Sequence, residues 1–350
     1  KTEPPQKNAP WRLLHYKRPE GSDRFDPPKF VFDLKERDSL FPFQDYQILN
    51  REGTLLSIVC TQGGIRYLHA VPLEDDGTHL GPIPPHKIRM DEPAEGFNQV
   101  DSFSMGGVAR PKEEEIELFG TIRDDKKTSI VAHSINPRDG SANNPPIKKV
   151  LEEDQKVTID GEEEEIKKIS SNEIPVSADG TRFLATVWLK SGEYVSVVFN
   201  RNPENNQIIN GTRFLSTHQN DGIGHVLSAD GSQAVAVVTK SVGGDVYVVG
   251  SRPASTEGNT MLSGHNSLLR QNEEILGVNI GKIQPGVEPD ISEDGLTVGL
   301  RAQVDGEWST ILLHLNKDAR ALEDISVLVS EGQEVKKPDH YQTEIKGSPT

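Results

Sequence analysis

One stretch of the chain is repeated, and this repeat constrains the fold more than any other feature. Residues 173–200 have the pattern of a strand, a turn at Asp179-Gly180, a longer strand, a second turn at Ser191-Gly192 and a third strand. The same pattern returns from Gly224 and from Glu288, and a weaker copy begins at Asp45. Recurrence at a fixed period is typical of repeat architectures, so we expect one small β motif to be built several times.

The spacing of the repeats favours propeller blades over solenoid coils. Most solenoid repeats take about 20–40 residues, whereas a four-stranded blade takes about 40–50. The longest interval contains the acidic run Glu162–Glu165, which we interpret as part of an exposed, solvated hairpin that turns at Asp160-Gly161. Five turn glycines mark the units, at intervals of 53, 74, 51 and 64 residues: Gly53, Gly106, Gly180, Gly231 and Gly295.

The segments between the turns have the composition of buried strands. Arg182–Leu189 and Tyr194–Phe199 are nearly continuous apolar runs, rich in β-branched and aromatic residues. Strands that are buried on both faces have this pattern. No segment shows the three–four spacing of an amphipathic helix over twelve or more positions. The sequence therefore predicts an all-β protein.

The three best copies share a turn of sequence Ser-x-Asp-Gly. Glycine adopts positive φ without steric cost, and the side chains of Asp and Ser can bond the backbone of their own turn. We therefore expect these turn residues to be structural and not catalytic. They are Ser177, Asp179, Gly180, Ser228, Asp230, Gly231, Ser292, Asp294 and Gly295.

This unit resembles the repeat of TolB-type β-propellers and, more loosely, that of WD-repeat-like propellers. The resemblance is carried by residues 176–180, 227–231 and 291–295, which read VSADG, LSADG and ISEDG, and it covers about half of the chain. The TolB-type repeat usually has Pro between Ser and Asp, where this chain has Ala, Ala and Glu. The resemblance implies a β-propeller of antiparallel four-stranded blades in which the repeat residues are structural.

We expect six blades, with five or seven also compatible with the repeats. On this hypothesis the runs Trp11–Tyr16 and Lys29–Leu34 join Ser326–Ser330 in one composite sheet. Such a sheet would close the ring and leave no open edge. Residues 1–10 are expected to be a disordered tether, 11–330 a single propeller domain and 331–350 a polar tail.

The composition excludes some partners. The chain has 38 basic and 54 acidic residues, a net charge of −16, which argues against binding nucleic acid through its phosphates. No apolar run reaches the roughly 18–20 residues of a membrane-spanning helix. Residue 1 is not Met, so we expect a processed or trimmed start. The tether-like start and the TolB-type likeness lean towards the periplasm or cell surface of a bacterium.

Two functions remain open. The first is a non-enzymatic module that binds another protein through its loops and one face, with no catalytic residue and no cofactor. Long connections at 82–96, 137–168 and 200–222 would supply the binding surface.

The second is a metal-dependent hydrolase or lactonase. By resemblance, propeller enzymes of this kind hold a metal in the central channel with Glu, Asn and Asp. His218 and His225 flank one such Asp, and His265 lies in a similar loop, but their spacing matches no metal motif. The sequence contains no G-x-S-x-G nucleophile motif. The residues ahead of inner strands that would bind calcium or zinc are Glu173, Asn220, Asp221 and Glu288. We favour the protein-binding module.

Overall fold

A computed structural model of the protein describes seventeen segments, all of which contain or adjoin β-strands. They are residues 12–15, 29–33, 45–48, 55–62, 65–72, 87–89, 102–112, 114–124, 127–136, 142–170, 174–217, 221–251, 266–285, 289–316, 321–331, 334–336 and 342–344. These segments contain no helix, and so none that is long and apolar enough to cross a membrane. The prediction of an all-β protein is confirmed.

The chain divides into two compact units, residues 1–149 and 150–350. The strands of the first are β1 (Arg12–His15), β2 (Lys29–Asp33), β3 (Asp45–Ile48), β4 (Leu55–Gln62), β5 (Ile65–Pro72), β6 (Lys87–Arg89), β7 (Ser102–Lys112), β8 (Glu115–Asp124), β9 (Lys127–Ile135) and most of β10 (Ala142–Glu152). Those of the second are β11 (Lys156–Ile159), β12 (Glu162–Ile169), β13 (Arg182–Leu189), β14 (Tyr194–Arg201), β15 (Ile208–Thr217), β16 (Gly222–Leu227), β17 (Ala234–Thr239), β18 (Val246–Ser251), β19 (Asn266–Arg270), β20 (Glu273–Ile275), β21 (Val278–Ile283), β22 (Asp290–Ile291), β23 (Thr297–Val304), β24 (Glu307–Leu315), β25 (Leu322–Ser330), β26 (Glu334–Lys336) and β27 (Gln342–Glu344).

The described strands form five antiparallel sheets of four or more strands, one for each repeat in the sequence. Sheet I is β3–β6, sheet II is β7–β10, sheet III is β11–β15, sheet IV is β16–β19 and sheet V is β20–β25. Sheets I, II and IV have the expected four strands, whereas sheet III has five and sheet V has six. Strands that are neighbours in sequence pair in each sheet, which is the arrangement of propeller blades.

The core of the second unit lies between successive sheets. Leu184 and Val198 of sheet III pack with Ala236 and Val249 of sheet IV. Within sheet III, the rings of Phe183 and Phe199 stack with centroids 5.2 Å apart. Because both faces of these sheets are covered, the central strands are apolar at nearly every position, as the sequence predicts.

The acidic hairpin forms where the sequence predicts it and contributes two strands to sheet III. The chain turns at Asp160-Gly161, where both residues have positive φ (52° and 88°), the geometry of a tight hairpin turn. The tip of the hairpin is exposed, as predicted, but its strands are part of sheet III. β12 continues into sheet III beside β13, and a parallel bridge from Ile159 to Gly211 joins β11 to β15 and closes the sheet.

Arg213 on β15 forms ion pairs with two carboxylates of this hairpin. Its guanidinium Nη1 lies 2.9 Å from Asp160 Oδ2 and its Nη2 lies 2.9 Å from Glu164 Oε1, while Nε lies 3.4 Å from Glu193 Oε2. The prediction of an exposed hairpin turn is confirmed at Gly161, Glu162 and Glu163, whereas Asp160 and Glu164 form ion pairs that the sequence did not indicate.

We expect Arg213→Gln to lower the free energy of unfolding by about 2 kcal/mol, because hydrogen bonds to charged, partly buried groups are among the stronger ones. Lys156→Gln is the matched control, since Lys156 pairs with Glu163 of the same hairpin but both side chains are mostly exposed. Urea unfolding should detect the first change and leave the second within error. Equal losses of unfolding free energy in the two variants would show that the ion pairs of Arg213 do not stabilise the hairpin.

Several predicted loops are strands in the structure. Residues 137–168 contain β10, β11 and β12, and residues 200–222 contain β15. β10 is an edge strand and contains two prolines, and β15 carries several polar residues (IINGTRFLST), which hid both strands in the sequence. The predicted turn at Met105-Gly107 lies inside β7, where the pairing shifts between Met105 and Val108 as in a β-bulge.

The predicted composite sheet is wrong among the described strands. β1 pairs with β2 in a sheet of their own, and Ser326–Ser330 belongs to β25, which pairs with β24. Local hairpin pairing supplies both partners without a long-range crossover. The tail includes a small hairpin of β26 and β27, whereas residues 1–10 lie outside the described segments. The number of blades in a closed ring, and the single-domain boundary at 11–330, stay predictions.

Candidate functional site

The Ser-x-Asp-Gly turns have the same hydrogen bonds in three successive sheets. In the first, Ser177 Oγ donates to Asp179 Oδ1 (2.6 Å) and accepts from the Arg182 backbone N–H (2.9 Å). Asp179 Oδ1 also accepts from the backbone N–H of Thr181 (3.0 Å). The other two turns make the equivalent contacts from Ser228 to Asp230, from Gln233 to Ser228, from Ser292 to Asp294 and from Thr297 to Ser292.

The turn of sheet III is hydrogen-bonded to the turn of sheet IV, and the turn of sheet V packs closely against that of sheet IV at Gly295. The Ala178 N–H donates to the Ala229 carbonyl (2.6 Å), and Arg182 Nη1 donates to the Gly231 carbonyl (2.9 Å). Gly231 lies so close to the previous turn that a Cβ there would meet Arg182 Cδ at 2.7 Å. The turns therefore form a continuous structural row at one end of sheets III, IV and V.

The carboxylates of this row are held ionised. Burial raises the pKa of Asp179, but hydrogen bonds from Ser177 and Thr181 outweigh that effect and hold the pKa below its ordinary value. Asp230 is governed in the same way, with Ser228 and Ser232 as its donors. Because these carboxylates are engaged with their own turns, they are poorly disposed to act as acids or bases.

We expect Asp179→Ala to cost about 1 kcal/mol of folding free energy, the typical net value of lost hydrogen bonds. The loss should appear in thermal or urea unfolding, and the wild-type advantage should vanish as pH falls through the lowered pKa of Asp179. An unchanged unfolding midpoint at neutral pH would contradict a structural role for the turn.

The structure brings together little of the alternative metal site. Asp221 Oδ1 accepts hydrogen bonds from the backbone N–H and the Oγ of Ser241, both at 2.9 Å, so it caps a turn. His225 is buried between sheets III and IV, where its Nε2 lies 3.2 Å from Thr186 Oγ1. Among the described residues no cluster of three or more His, Cys, Asp or Glu is placed to hold a metal. The remaining candidates lie outside those residues: Glu173, Asn220, Glu288, His218 and His265.

The opposite end of sheets III–V carries aromatic side chains that the sequence interpretation missed. β13, β17 and β23 each begin after a Ser-x-Asp-Gly turn and end at a second turn, so these second turns share the other end. Trp188 and Tyr194 lie there with centroids 5.5 Å apart, Lys240 Nζ lies 5.5 Å from the centroid of Tyr247, and Arg301 lies 5.5 Å from that of Trp308. We call Trp188, Tyr194, Tyr247 and Trp308 the aromatic rim. Each lies within two residues of a turn, and this position in the sequence is the signal by which the rim residues could have been found.

Asp221 joins the rim of sheet III to that of sheet IV. Burial, and then the nearby carboxylate of Asp221, raises the pKa of Tyr247. The pKa of Tyr194 is raised by burial and by the same carboxylate, against an opposing hydrogen bond with Ser170. Both phenols therefore lie near one carboxylate, and both stay protonated hydrogen-bond donors at neutral pH.

The rim borders an open pocket and a protruding turn. The turn Ser241–Asp245 is exposed throughout, and Val242 at its tip is 85% exposed. The pocket beside it is lined by Lys240, Asp245, Val246, Tyr247, Arg270 and Gln271. The arrangement presents aromatic, basic and apolar groups at one surface.

Comparison with known proteins identifies no relative by sequence: no family model matches, and no curated protein matches. The solved structures that resemble the chain include TolB from Acinetobacter baumannii (12% identity, TM-score 0.45), with 92% of this chain and 59% of that one covered. A putative TolB from Agrobacterium tumefaciens matches with 12% identity, a TM-score of 0.42 and coverage of 87% and 84%. Oligopeptidase B from Leishmania major matches with 10% identity, a TM-score of 0.45 and coverage of 89% and 36%.

The chain thus spans 59% of the Acinetobacter baumannii TolB chain and 36% of the oligopeptidase chain. Likeness at these identities concerns the fold alone.

Proposed function

We propose that the protein is a non-enzymatic β-propeller module that binds another protein through the aromatic rim. The observation that carries this proposal is the row of tyrosine and tryptophan side chains, with arginine and lysine beside them, at one end of three successive sheets. Tyr, Trp and Arg are the residues that protein interfaces enrich and that dominate their binding energy.

The row of interlocked turns at the opposite end supports the same function. Hydrogen bonds fix sheet III against sheet IV, and the close approach of Gly295 to Ser228 and Gln233 packs sheet V against sheet IV, so the rim residues sit on a rigid base. A surface that is already ordered loses less conformational entropy on binding, which favours affinity. Such a function needs contact alone, so we propose that it uses neither a metal nor another cofactor.

The test is a pull-down from a lysate of the source organism with tagged 1–350, in which Val242→Asp is compared with wild type. Val242 is 85% exposed at the tip of the turn Ser241–Asp245, which borders the aromatic rim and is here called the rim turn, so the substitution should not unfold the chain. Ile209→Asp is the matched control, since Ile209 is 61% exposed and lies on β15, away from the rim turn. We expect one specific protein to co-purify with wild type and the control, and about tenfold less of it with Val242→Asp, a loss of ~1.4 kcal/mol.

Absence of a specific partner, or equal recovery by all three proteins, would contradict binding at the rim. Elemental analysis of the same purified sample distinguishes this proposal from the second hypothesis, a metal-dependent hydrolase or lactonase. Stoichiometric calcium or zinc without a protein partner would favour the metal-dependent hydrolase, and Glu173, Asn220 and Glu288 would then be the residues to test.

A further inference from the structure

The pocket on the rim contains two basic side chains, Lys240 and Arg270, and neither forms an ion pair with a described residue. Arg213, Lys148 and Lys190 each pair with a carboxylate. Within the described part of the chain, Arg270 and Lys240 instead contact neutral groups: Arg270 Nε donates to Ser267 Oγ (3.2 Å), and the Lys240 ammonium lies over the ring of Tyr247. The terminal nitrogens of both side chains are therefore available to a ligand.

The walls of this pocket are held in place by hydrogen bonds. Gln271 Nε2 donates to the Gly244 carbonyl (3.1 Å), and the Gln271 N–H donates to the Val246 carbonyl (3.1 Å). The Lys240 N–H donates to the Asp245 carbonyl (2.8 Å) and closes the turn. The half-buried ring of Tyr247 provides an apolar floor. The basic groups thus surround a preformed cavity and not a mobile surface.

We propose that this pocket binds a single acidic side chain, Asp or Glu, of the protein partner, an inference that rests on the proposed function. A guanidinium and an ammonium recognise a carboxylate by charge-assisted hydrogen bonds, and the phenol of Tyr247 adds a neutral donor. Asp245 also lines the pocket and Asp221 lies near Tyr247. These two carboxylates balance the two formal positive charges, so the pocket has no net charge to stabilise a doubly charged phosphate, and a single carboxylate would be held by direct contact with the guanidinium and the ammonium.

The net charge of −16 does not prevent this interaction. At physiological salt, exposed charges separated by more than about 8 Å are largely screened, so the contacts inside the pocket decide the affinity. The pocket also adjoins Val242, so a partner that covers the rim turn would reach it with a neighbouring side chain.

The test uses two acetylated and amidated peptides, Gly-Tyr-Glu-Leu-Gly and its Gln counterpart, which differ by one ionised group. Backbone amide signals of the full chain are followed by NMR during titration. We expect the Glu peptide to shift signals of residues 240–247 and 269–271 and to bind at least about tenfold more tightly than the Gln peptide, the size of one charge-assisted contact. Arg270→Gln and Lys240→Gln should each remove most of this difference.

Lys282→Gln is the control, because Lys282 is an exposed lysine on β21 that does not line the pocket, and this variant should keep the difference. Equal binding of the two peptides, or equal effects of Arg270→Gln and Lys282→Gln, would overturn the assignment. So would inorganic phosphate that displaces the Glu peptide more strongly than acetate does. The proposed function fails separately, by unchanged partner recovery with Val242→Asp, whatever the peptides show.

Discussion

Gly295→Ala is expected to lower the free energy of unfolding by roughly 3 kcal/mol or more, whereas Gly306→Ala in the same sheet should cost about 1–2 kcal/mol. Both glycines have positive φ, 72° and 90°, so both substitutions strain the backbone. They differ in their surroundings. A Cβ at Gly295 would lie 2.8 Å from Gln233 Cβ and 3.2 Å from Ser228 Cβ, but a Cβ at Gly306 would meet nothing within 4 Å.

The neighbours at Gly295 cannot move aside cheaply. Gln233 and Ser228 are both buried, and Ser228 is held by its own turn through hydrogen bonds to Asp230 and Gln233. The added methyl group must therefore push sheet V away from sheet IV. Urea unfolding of the two variants measures the difference directly. If both cost the same, the turns are not interlocked as the structure shows, and only backbone strain is at work.

This contact explains why the repeat could be found in the sequence. The turn needs Ser and Asp for its own hydrogen bonds, and it needs glycine twice over, for the positive φ and for the approach of the preceding sheet. All three copies have the positive φ at the glycine, and the close approach is present at Gly231 and Gly295. Strong local requirements of this kind are visible in one sequence, so the all-β class and the positions of the five units could be predicted.

Contacts between residues that lie far apart in the sequence could not be predicted in the same way. The closure of sheet III depends on Asp160 and Glu164 meeting Arg213, about fifty residues later in the chain, and nothing local marks that meeting. Sheet V has a related hairpin, β20–β21, that turns at Leu276-Gly277 with positive φ at both residues (53° and 76°). Its sequence shares no acidic run with β11–β12, so the structural similarity of the two hairpins was not detectable as a repeat.

The candidate site was missed for a related reason. The aromatic rim is made of single residues at the ends of different strands, and they become a surface only when the sheets are packed side by side. Asp221 was noticed, but as a metal ligand beside His225. The backbone instead turns Asp221 towards Ser241 and His225 into the interior.

Because His225 is buried, we expect its protonation to cause the second large change in folding stability. We expect the protein to lose stability as pH falls from about 6.5 to about 4, by up to ~3 kcal/mol from this residue. His225 is 5% exposed and contacts Thr186, which in turn lies 2.8 Å from Ser196 Oγ. Burial disfavours the charged imidazolium and lowers the pKa of His225 from 6.5 to about 4.

The sign follows from proton binding. Between these two pKa values the unfolded chain binds a proton that the folded protein does not, so unfolding becomes easier as pH drops, while stability above about pH 7 is unaffected by this group. Asp179 and Asp230 lose their contributions only below their ordinary value of 3.8, so the two effects occupy separate ranges of pH.

Urea unfolding between pH 4.5 and 8, for wild type and His225→Gln, isolates the contribution by difference, because the other nine of the ten histidines are common to both proteins. The wild-type curve should fall more steeply with acid than the variant curve. Should His225→Gln fold poorly, His225→Met supplies an apolar side chain of similar size for the buried position. Parallel curves for wild type and a folded variant would mean that His225 is protonated in the folded protein, and that the contact between sheets III and IV tolerates the charge.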